Sequence, residues 1–275
     1  VHHIPKVLYH WRKIPGSTAA SYDAKASDDA SLRALTEAAA RRFAGTVERG
    51  LRLGTFRVRR PIEGEPLVSI IIPTRDKLKM LAPCISSIRE KAAYRRYEIL
   101  VVDNNSAEPE TRSYLGSLAG QENCRVLPYN APFNFAAINN AAAREAAGEF
   151  LLFLNNDTEM IEPQSLQAML EHAQRPEVGA VGARLLFDDG TLQHAGIVLG
   201  GGGVANHAFY RQPSEGISYY NQAEVIRDLS AVTGACLMTR RQLFLDIGGF
   251  DEANCPIAYN DVDLCLRLRQ AGYLV

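Results

Sequence analysis

The chain has 275 residues, 47% hydrophobic and 22% charged, with a formal net charge of −1. That size allows one large or two modest domains with ample core, and the composition is that of an ordinary globular protein. The near-neutral balance gives no whole-chain case for nucleic-acid binding, and no apolar run reaches the roughly 18–20 residues that cross a bilayer.

The first 60 residues differ from the rest. They carry 12 Lys/Arg against 5 Asp/Glu, a basic flank that suits an anionic surface or acidic partner and equally a solvated helix. Ile4 to Trp11 reads as a short strand, Pro15-Gly-Ser-Thr18 as a turn, Asp29 to Ala44 as a helix, and Leu53 to Arg59 as another strand. Pro61-Ile-Glu-Gly-Glu-Pro66 reads as a linker, which divides the chain into a small N-terminal α+β segment, 1–65, and a main domain, 66–275.

From residue 67, strands near 68–72, 97–102, 124–128 and 149–154 alternate with helices near 78–92, 109–119 and 134–147. That alternation predicts βαβ units and a largely parallel sheet with helices around it. A helix near 163–174 follows, then strands over 178–187, 197–199 and 231–238, a turn at Gly248-Gly-Phe-Asp251, and a helix from Asn260 to about Ala271. Asp188-Asp-Gly190 reads as a turn and Gly200–Gly203 as a flexible loop. Gly272-Tyr-Leu-Val275 looks like the start of another strand, so the expectation is a piece of a longer polypeptide. Five scattered cysteines without a paired spacing fit a reducing compartment. With no recognisable targeting segment, they point to the cytoplasm.

Three of the apolar strands end in polar clusters: Pro73-Thr74-Arg75-Asp76, Asp103-Asn104-Asn105-Ser106, and Asn155-Asn156-Asp157. Carboxyl ends of parallel strands are where open α/β sheets bind ligands. The first turn lacks the glycines of a dinucleotide-binding fingerprint, and the chain has no Gly-Lys pair for a P-loop. A phosphate-bearing ligand therefore needs another source of positive charge, and a divalent cation on Asp157 is the natural one.

Five motifs then occur in order: Val68-Ser-Ile-Ile-Ile-Pro-Thr74, Glu98-Ile-Leu-Val-Val-Asp-Asn-Asn-Ser106, Phe153-Leu-Asn-Asn-Asp-Thr158, Gly248-Gly-Phe-Asp-Glu252 and Asn260-Asp-Val-Asp-Leu264. Together they resemble glycosyltransferase family 2. Leu192-Gln-His-Ala-Gly196 and His207 are similar to its branch that elongates bacterial surface polysaccharides, rhamnosyltransferases included. The resemblance implies a GT-A fold, a Rossmann-like, largely parallel mixed sheet flanked by helices. It also implies inverting, metal-dependent transfer from a nucleotide-sugar donor (UDP- or dTDP-sugar) to a glycan or lipid-linked acceptor. A lipid-linked acceptor would bring peripheral contact with the inner membrane.

Roles follow residue by residue. Pro73, Thr74, Asp76, Asp103, Asn105, Asn155 and Asn156 would hold the donor, although Asp76 and Asp103 could each cap a helix instead. Asp157 matches the last acid of the DxD motif and would bind Mg2+ or Mn2+; Asn155 stands in place of the first acid, removing one negative charge. Asp261 is the expected base for the acceptor hydroxyl, with Asp263 as second choice, or both are first-turn acids matched to the helix dipole. Arg267, four residues after Asp263, reads as its ion-pair partner. His194 and His207 flank the glycine loop and would line an acceptor pocket, although a lone histidine is more often structural and His194 fits either role. His3 to His10 resembles the family's terminal strand, so residues 1–20 read as the tail of an upstream, similar domain. The competing reading is a non-catalytic nucleotide-sugar or glycan-binding module of a larger multidomain synthase.

Overall fold

The computed structural model describes residues 24–275 except 201, 202 and 217, together with residues 6, 8–10, 12 and 14–17. Residues 4, 5, 7 and 11 of the predicted strand over 4–11 and half of the Gly200–Gly203 loop lie outside the described residues, and residues 6 and 8–10 are not in a strand. Two compact units divide the chain: residues 1–60 with 220–226, and residues 61–219 with 227–275.

In the smaller unit a helix, α1 (Ala24–Phe43), precedes a hairpin of β1 (Thr46–Arg49) and β2 (Phe56–Arg59), with Thr46 opposite Arg59. Buried Asp28 accepts hydrogen bonds from Arg49 Nε at 2.8 Å and from Gly54 N–H at 2.7 Å, so part of the basic excess is matched internally. The Arg60 guanidinium stacks 3.8 Å from the Phe43 ring centroid.

The larger unit runs β3 (Val68–Thr74), α2 (Leu78–Lys91), β4 (Tyr97–Asp103), α3 (Pro109–Leu118), β5 (Cys124–Pro128), α4 (Phe135–Glu145), β6 (Phe150–Leu154) and α5 (Ser165–Ala173). Short strands follow: β7 (Val181–Gly182), β8 (Leu185–Leu186), β9 (Leu192–His194), β10 (Ile197–Leu199) and β11 (Ala205–His207). The unit closes with β12 (Cys236–Arg240), α6 (Arg241–Asp246) and α7 (Asn260–Gln270).

Six strands form the central sheet in the order β5-β4-β3-β6-β12-β7. β5, β4, β3 and β6 are mutually parallel, and β12 runs antiparallel to β6. The carboxyl ends of β3, β4 and β6 therefore share one edge with the amino end of β12, where Cys236 pairs with Leu154. This is the mixed, largely parallel sheet expected from the alternating pattern.

Both faces of the sheet are covered, which is why its strands read as continuous apolar runs. Val68, Ile70 and Ile72 pack on one face with Leu81, Ile85 and Leu170. Ile71, Leu100 and Phe153 pack on the other with Phe244, Phe250, Leu264 and Leu268. On that second face the rings of Phe153, Phe244 and Phe250 stand 4.9–5.2 Å apart. Each such buried side chain contributes about 1.5–3 kcal/mol relative to exposure.

Two expected strands break. The run 178–187 yields only β7 and β8, the first extending the main sheet and the second pairing with β9. The run 231–238 begins pairing with β6 only at Cys236, because the backbone of Thr233 and Gly234 is engaged by side chains instead. Leu274 makes an isolated parallel bridge to Val178.

The Gly248–Gly249 turn is fastened from two sides. Arg267 donates to the carbonyls of Ile247 and Gly249, at 2.8 and 2.6 Å. Asn140 donates to Phe250 O at 2.8 Å and accepts from its N–H at 2.9 Å. Gly249 has φ +69°, and a Cβ there would stand 2.5 Å from Asn140 Oδ1. Gly249→Ala should lower unfolding stability by about 1–3 kcal/mol, read by denaturant titration; an unchanged midpoint would show that the turn adapts freely.

Candidate active site

The shared strand edge opens into a cleft of about 490 Å³. Pro73 and Thr74 from β3, Asn104 after β4, and Asn155 and Asn156 after β6 form one side. Thr233, Gly234 and Ala235, which lead into β12, lie beside Asn260 and Asp261 at the start of α7. Phe133, Ile257 and Tyr259, each at least half exposed, supply apolar surface. Among the described lining residues Arg75 is the one cation and Asp261 the one carboxylate.

Of the expected donor residues, Pro73, Thr74, Asn155 and Asn156 line this cleft. Asn156 Nδ2 donates to Thr74 Oγ1 at 2.9 Å, tying the ends of β3 and β6 together. Asp76, Asp103 and Asn105 do not line it. Asp76 Oδ1 accepts from the N–H groups of Ala107 and Glu108, both at 2.8 Å, just before α3. Its own N–H donates to Ser106 Oγ, and Ser106 N–H donates to Asp103 Oδ1. Asp76 and Asp103 thus fasten the loops that follow β3 and β4, and neither caps a helix. Asn105, exposed at φ +60°, turns the chain between them.

The missed residue is Asn104. It is 2% exposed and donates through Nδ2 to the carbonyls of Tyr129 and Ala131, at 3.0 and 2.8 Å. Its Oδ1 is left without a partner, as is Nδ2 of Asn260, which is 3% exposed. Leaving a buried polar atom unpaired costs about 1–3 kcal/mol, and two such amides stand in this cleft wall. Sequence alone does not separate Asn104 from Asn105.

Asp261 is held by two backbone donors. Gly234 N–H reaches its Oδ2 and Val262 N–H its Oδ1, each at 2.8 Å. Each carboxylate oxygen retains a lone pair, so the group can still accept a proton from a bound hydroxyl. Asp263 is spent differently: its Oδ2 takes Arg267 Nε at 2.8 Å, as the four-residue spacing anticipates, and it is absent from the cleft wall.

The two histidines meet each other. His194 is 1% exposed, and both its ring nitrogens are engaged, Nδ1 with His207 Nδ1 at 2.9 Å and Nε2 with Thr233 N–H at 3.4 Å. Burial, and then the neighbouring His207, pushes its pKa down to about 3. Burial also lowers the half-buried His207, against a raising influence of Asp261. His194 is thus enclosed while His207 stays half-buried, and Gln193, next to His194, lines the cleft.

Among the described residues no three His, Cys, Asp or Glu side chains gather into a metal cage. Asp157 is exposed beyond β6 and off the cleft wall. One carboxylate with neighbouring amides fits Mg2+ or Mn2+ only as an ion held largely by ligand phosphate oxygens and water. The thiols offer no soft site: burial pushes Cys84, Cys236 and Cys265 up to about 12.

This sheet order with a cleft at its carboxyl edge is the architecture of GT-A glycosyltransferases, and solved structures agree. A mannosyltransferase from Pyrobaculum calidifontis, in complex with GDP-Man and Mn2+, superposes over 91% of this chain and 63% of its own, with TM-score 0.57 and 16% identity. GalNAc-T7 with UDP, GalNAc and Mn2+ superposes over 89% and 50%, with TM-score 0.61 and 12% identity.

The family model of Glycosyl transferase family 2 matches residues 69–248, and the chain belongs to that family. It is 44% identical over 279 residues to protein y4gI of Sinorhizobium fredii and 42% identical over 277 residues to the O-antigen biosynthesis protein RfbC of Myxococcus xanthus. Each match takes in 99% of this chain but only 30% and 21% of those relatives' lengths. An N-acetylglucosaminyl-diphospho-decaprenol L-rhamnosyltransferase of Mycobacterium tuberculosis is 29% identical over 66% of this chain and 64% of its own.

If Asp76 fastens loops, Asp76→Ala should lower stability by about 0.5–2 kcal/mol, as loss of a helix cap does, in a thermal melt. A melt identical to wild type, with ligand binding lost, would return Asp76 to the donor site.

Proposed function

We propose that this chain is an inverting glycosyltransferase that moves a sugar from a nucleotide donor, a UDP- or dTDP-sugar, onto a cell-surface polysaccharide or lipid-linked glycan. The observation that carries the reading is a single cleft joining the strand-edge amides and Arg75 to the Asp261 carboxylate. Direct displacement at an anomeric carbon needs a leaving group held on one side and a carboxylate near the incoming hydroxyl on the other. Thr74, Asn104, Asn156 and Arg75 would hold the nucleotide side, and Asp261 would take the acceptor proton. The O-antigen biosynthesis and rhamnosyltransferase relatives support an acceptor of surface-glycan type.

A divalent ion held by Asp157 and the diphosphate would supply positive charge where the leaving group becomes negative. Arg75 would add fixed charge and orient the phosphates. The exposed Phe133, Ile257 and Tyr259 offer flat apolar surface for the acceptor. No helix among the described residues is long and apolar enough to cross a membrane. We place the reaction on the cytoplasmic side, at the membrane surface where the acceptor is lipid-linked.

A second reading, a binding module without turnover, is favoured by one feature: Asn155 where an acid would strengthen metal binding. Calorimetric titration of UDP, dTDP and GDP, with and without Mn2+, tests the donor site. Metal-dependent binding of one nucleotide, weakened at least about tenfold (roughly 1.4 kcal/mol) by Asp157→Ala, is expected. Binding indifferent to both metal and Asp157 would remove the ion from the account, and no binding by any nucleotide would overturn it.

A further inference from the structure

We propose that His194 and His207 form a hydrogen-bonded pair of positioning residues that fixes the Thr233–Gly234 backbone and, through it, the rotamer of Asp261. The inference rests on the transferase reading for its kinetic consequence, but not for its geometry. His194 closes β9 and His207 closes β11, so two short hairpin strands deliver the rings to one point beside the loop before β12. Their planes meet at 86° with centroids 5.1 Å apart, which sets nitrogen against nitrogen rather than face against face.

The chain of donors runs in one direction. Thr233 N–H can only donate, so Nε2 of His194, 3.4 Å away, must carry the lone pair. The proton of neutral His194 then lies on Nδ1 and is donated to His207 Nδ1 at 2.9 Å. His207 accepts there, so its own proton is confined to Nε2. Burial keeps His194 neutral, and protonating it would set a ring N–H against the Thr233 N–H.

One residue further along the loop, Gly234 N–H donates to Asp261 Oδ2 at 2.8 Å. Thr233 is itself 7% exposed, so its N–H has little water to turn to if the ring is lost. Without the pair, the backbone of residues 233 and 234 can rotate, and Asp261 loses the donor that holds one of its oxygens. The effect should fall on the chemical step. The nucleotide side, built from Thr74, Asn104 and Asn156, is fastened by other bonds.

Two readouts on the intact protein test this. Nitrogen-15 NMR of labelled histidine should find His194 as the Nδ1–H tautomer and His207 as the Nε2–H tautomer at neutral pH. For kinetics, His194→Phe and His207→Leu should each lower kcat at least about tenfold, the factor that ~1.4 kcal/mol of lost transition-state stabilisation gives, with donor KM within about twofold. His207→Asn, whose Oδ1 can accept from His194 Nδ1, should recover most of that loss, which a purely packing role would not predict.

Finding His194 protonated on Nε2, or kcat unchanged in both His194→Phe and His207→Leu, would overturn the inference. If His194→Phe does not fold, the His207→Leu and His207→Asn comparison decides it. A wild-type protein idle with every donor would refute the transferase reading instead, and the tautomers would still decide the pair.

Discussion

The site depends on the backbone of Thr233-Gly234-Ala235. These three residues precede β12, the antiparallel strand of an otherwise parallel neighbourhood, and do not pair as a strand. Thr233 N–H goes to His194, Gly234 N–H to Asp261, and Ala235 C=O accepts from Asn155 N–H at 3.0 Å. One short segment therefore bonds to the buried imidazole pair, to the carboxylate at the start of α7 and to the first amide of the Asn155-Asn156-Asp157 cluster. Residues some hundred positions apart acquire a common frame through peptide groups, which are far stiffer than side chains.

The sheet makes this frame possible. Because β12 runs against β6, its amino end arrives where the carboxyl ends of β3, β4 and β6 finish. A parallel strand in that place would deliver its amino end to the opposite edge. The two apolar cores, one on each face, hold the strands in register and so fix the cleft walls to the sheet. The amides of Asn104 and Asn260 remain partly unpaired in that wall. Each unpaired atom is a cost to folding of about 1–3 kcal/mol. The ion proposed at Asp157 would take a single carboxylate from the protein and the remaining ligands from the substrate and water.

Much of this was legible in the sequence because the signals were local. Ile70-Ile-Ile72 and Phe150 to Leu154 are unbroken apolar runs ended by turn residues, and they became the central strands β3 and β6. The helix starting at Asn260 and the Asp263–Arg267 pair follow from spacing alone. What failed to show was decided by distant partners. Ala231 to Met238 has the composition of a strand, and its first half is diverted only because His194 and Asp261 compete for its N–H groups. Asp76 and Asp103 have the residue type of ligands, and nothing near them in sequence shows that they also fasten Ser106 and the N–H groups ahead of α3. Asn104 and Asn105 are chemically identical, and only the left-handed turn at Asn105 sends one outward and leaves the other buried. For His194 the sequence leaves a pocket role and a structural role open, because nothing in its neighbourhood announces the hairpin that buries it.

The account stands most directly on Asp261 as the group that receives the acceptor proton. The deciding measurement is transfer by Asp261→Asn against wild type, with donor affinity and the anomeric configuration of the product followed in parallel. The account predicts an inverted product from wild type, and in the variant unchanged donor affinity with turnover lower by about 10²–10⁴, the contribution of a positioned general base. Turnover within a few-fold of wild type, or a product that retains the donor's configuration, would contradict it.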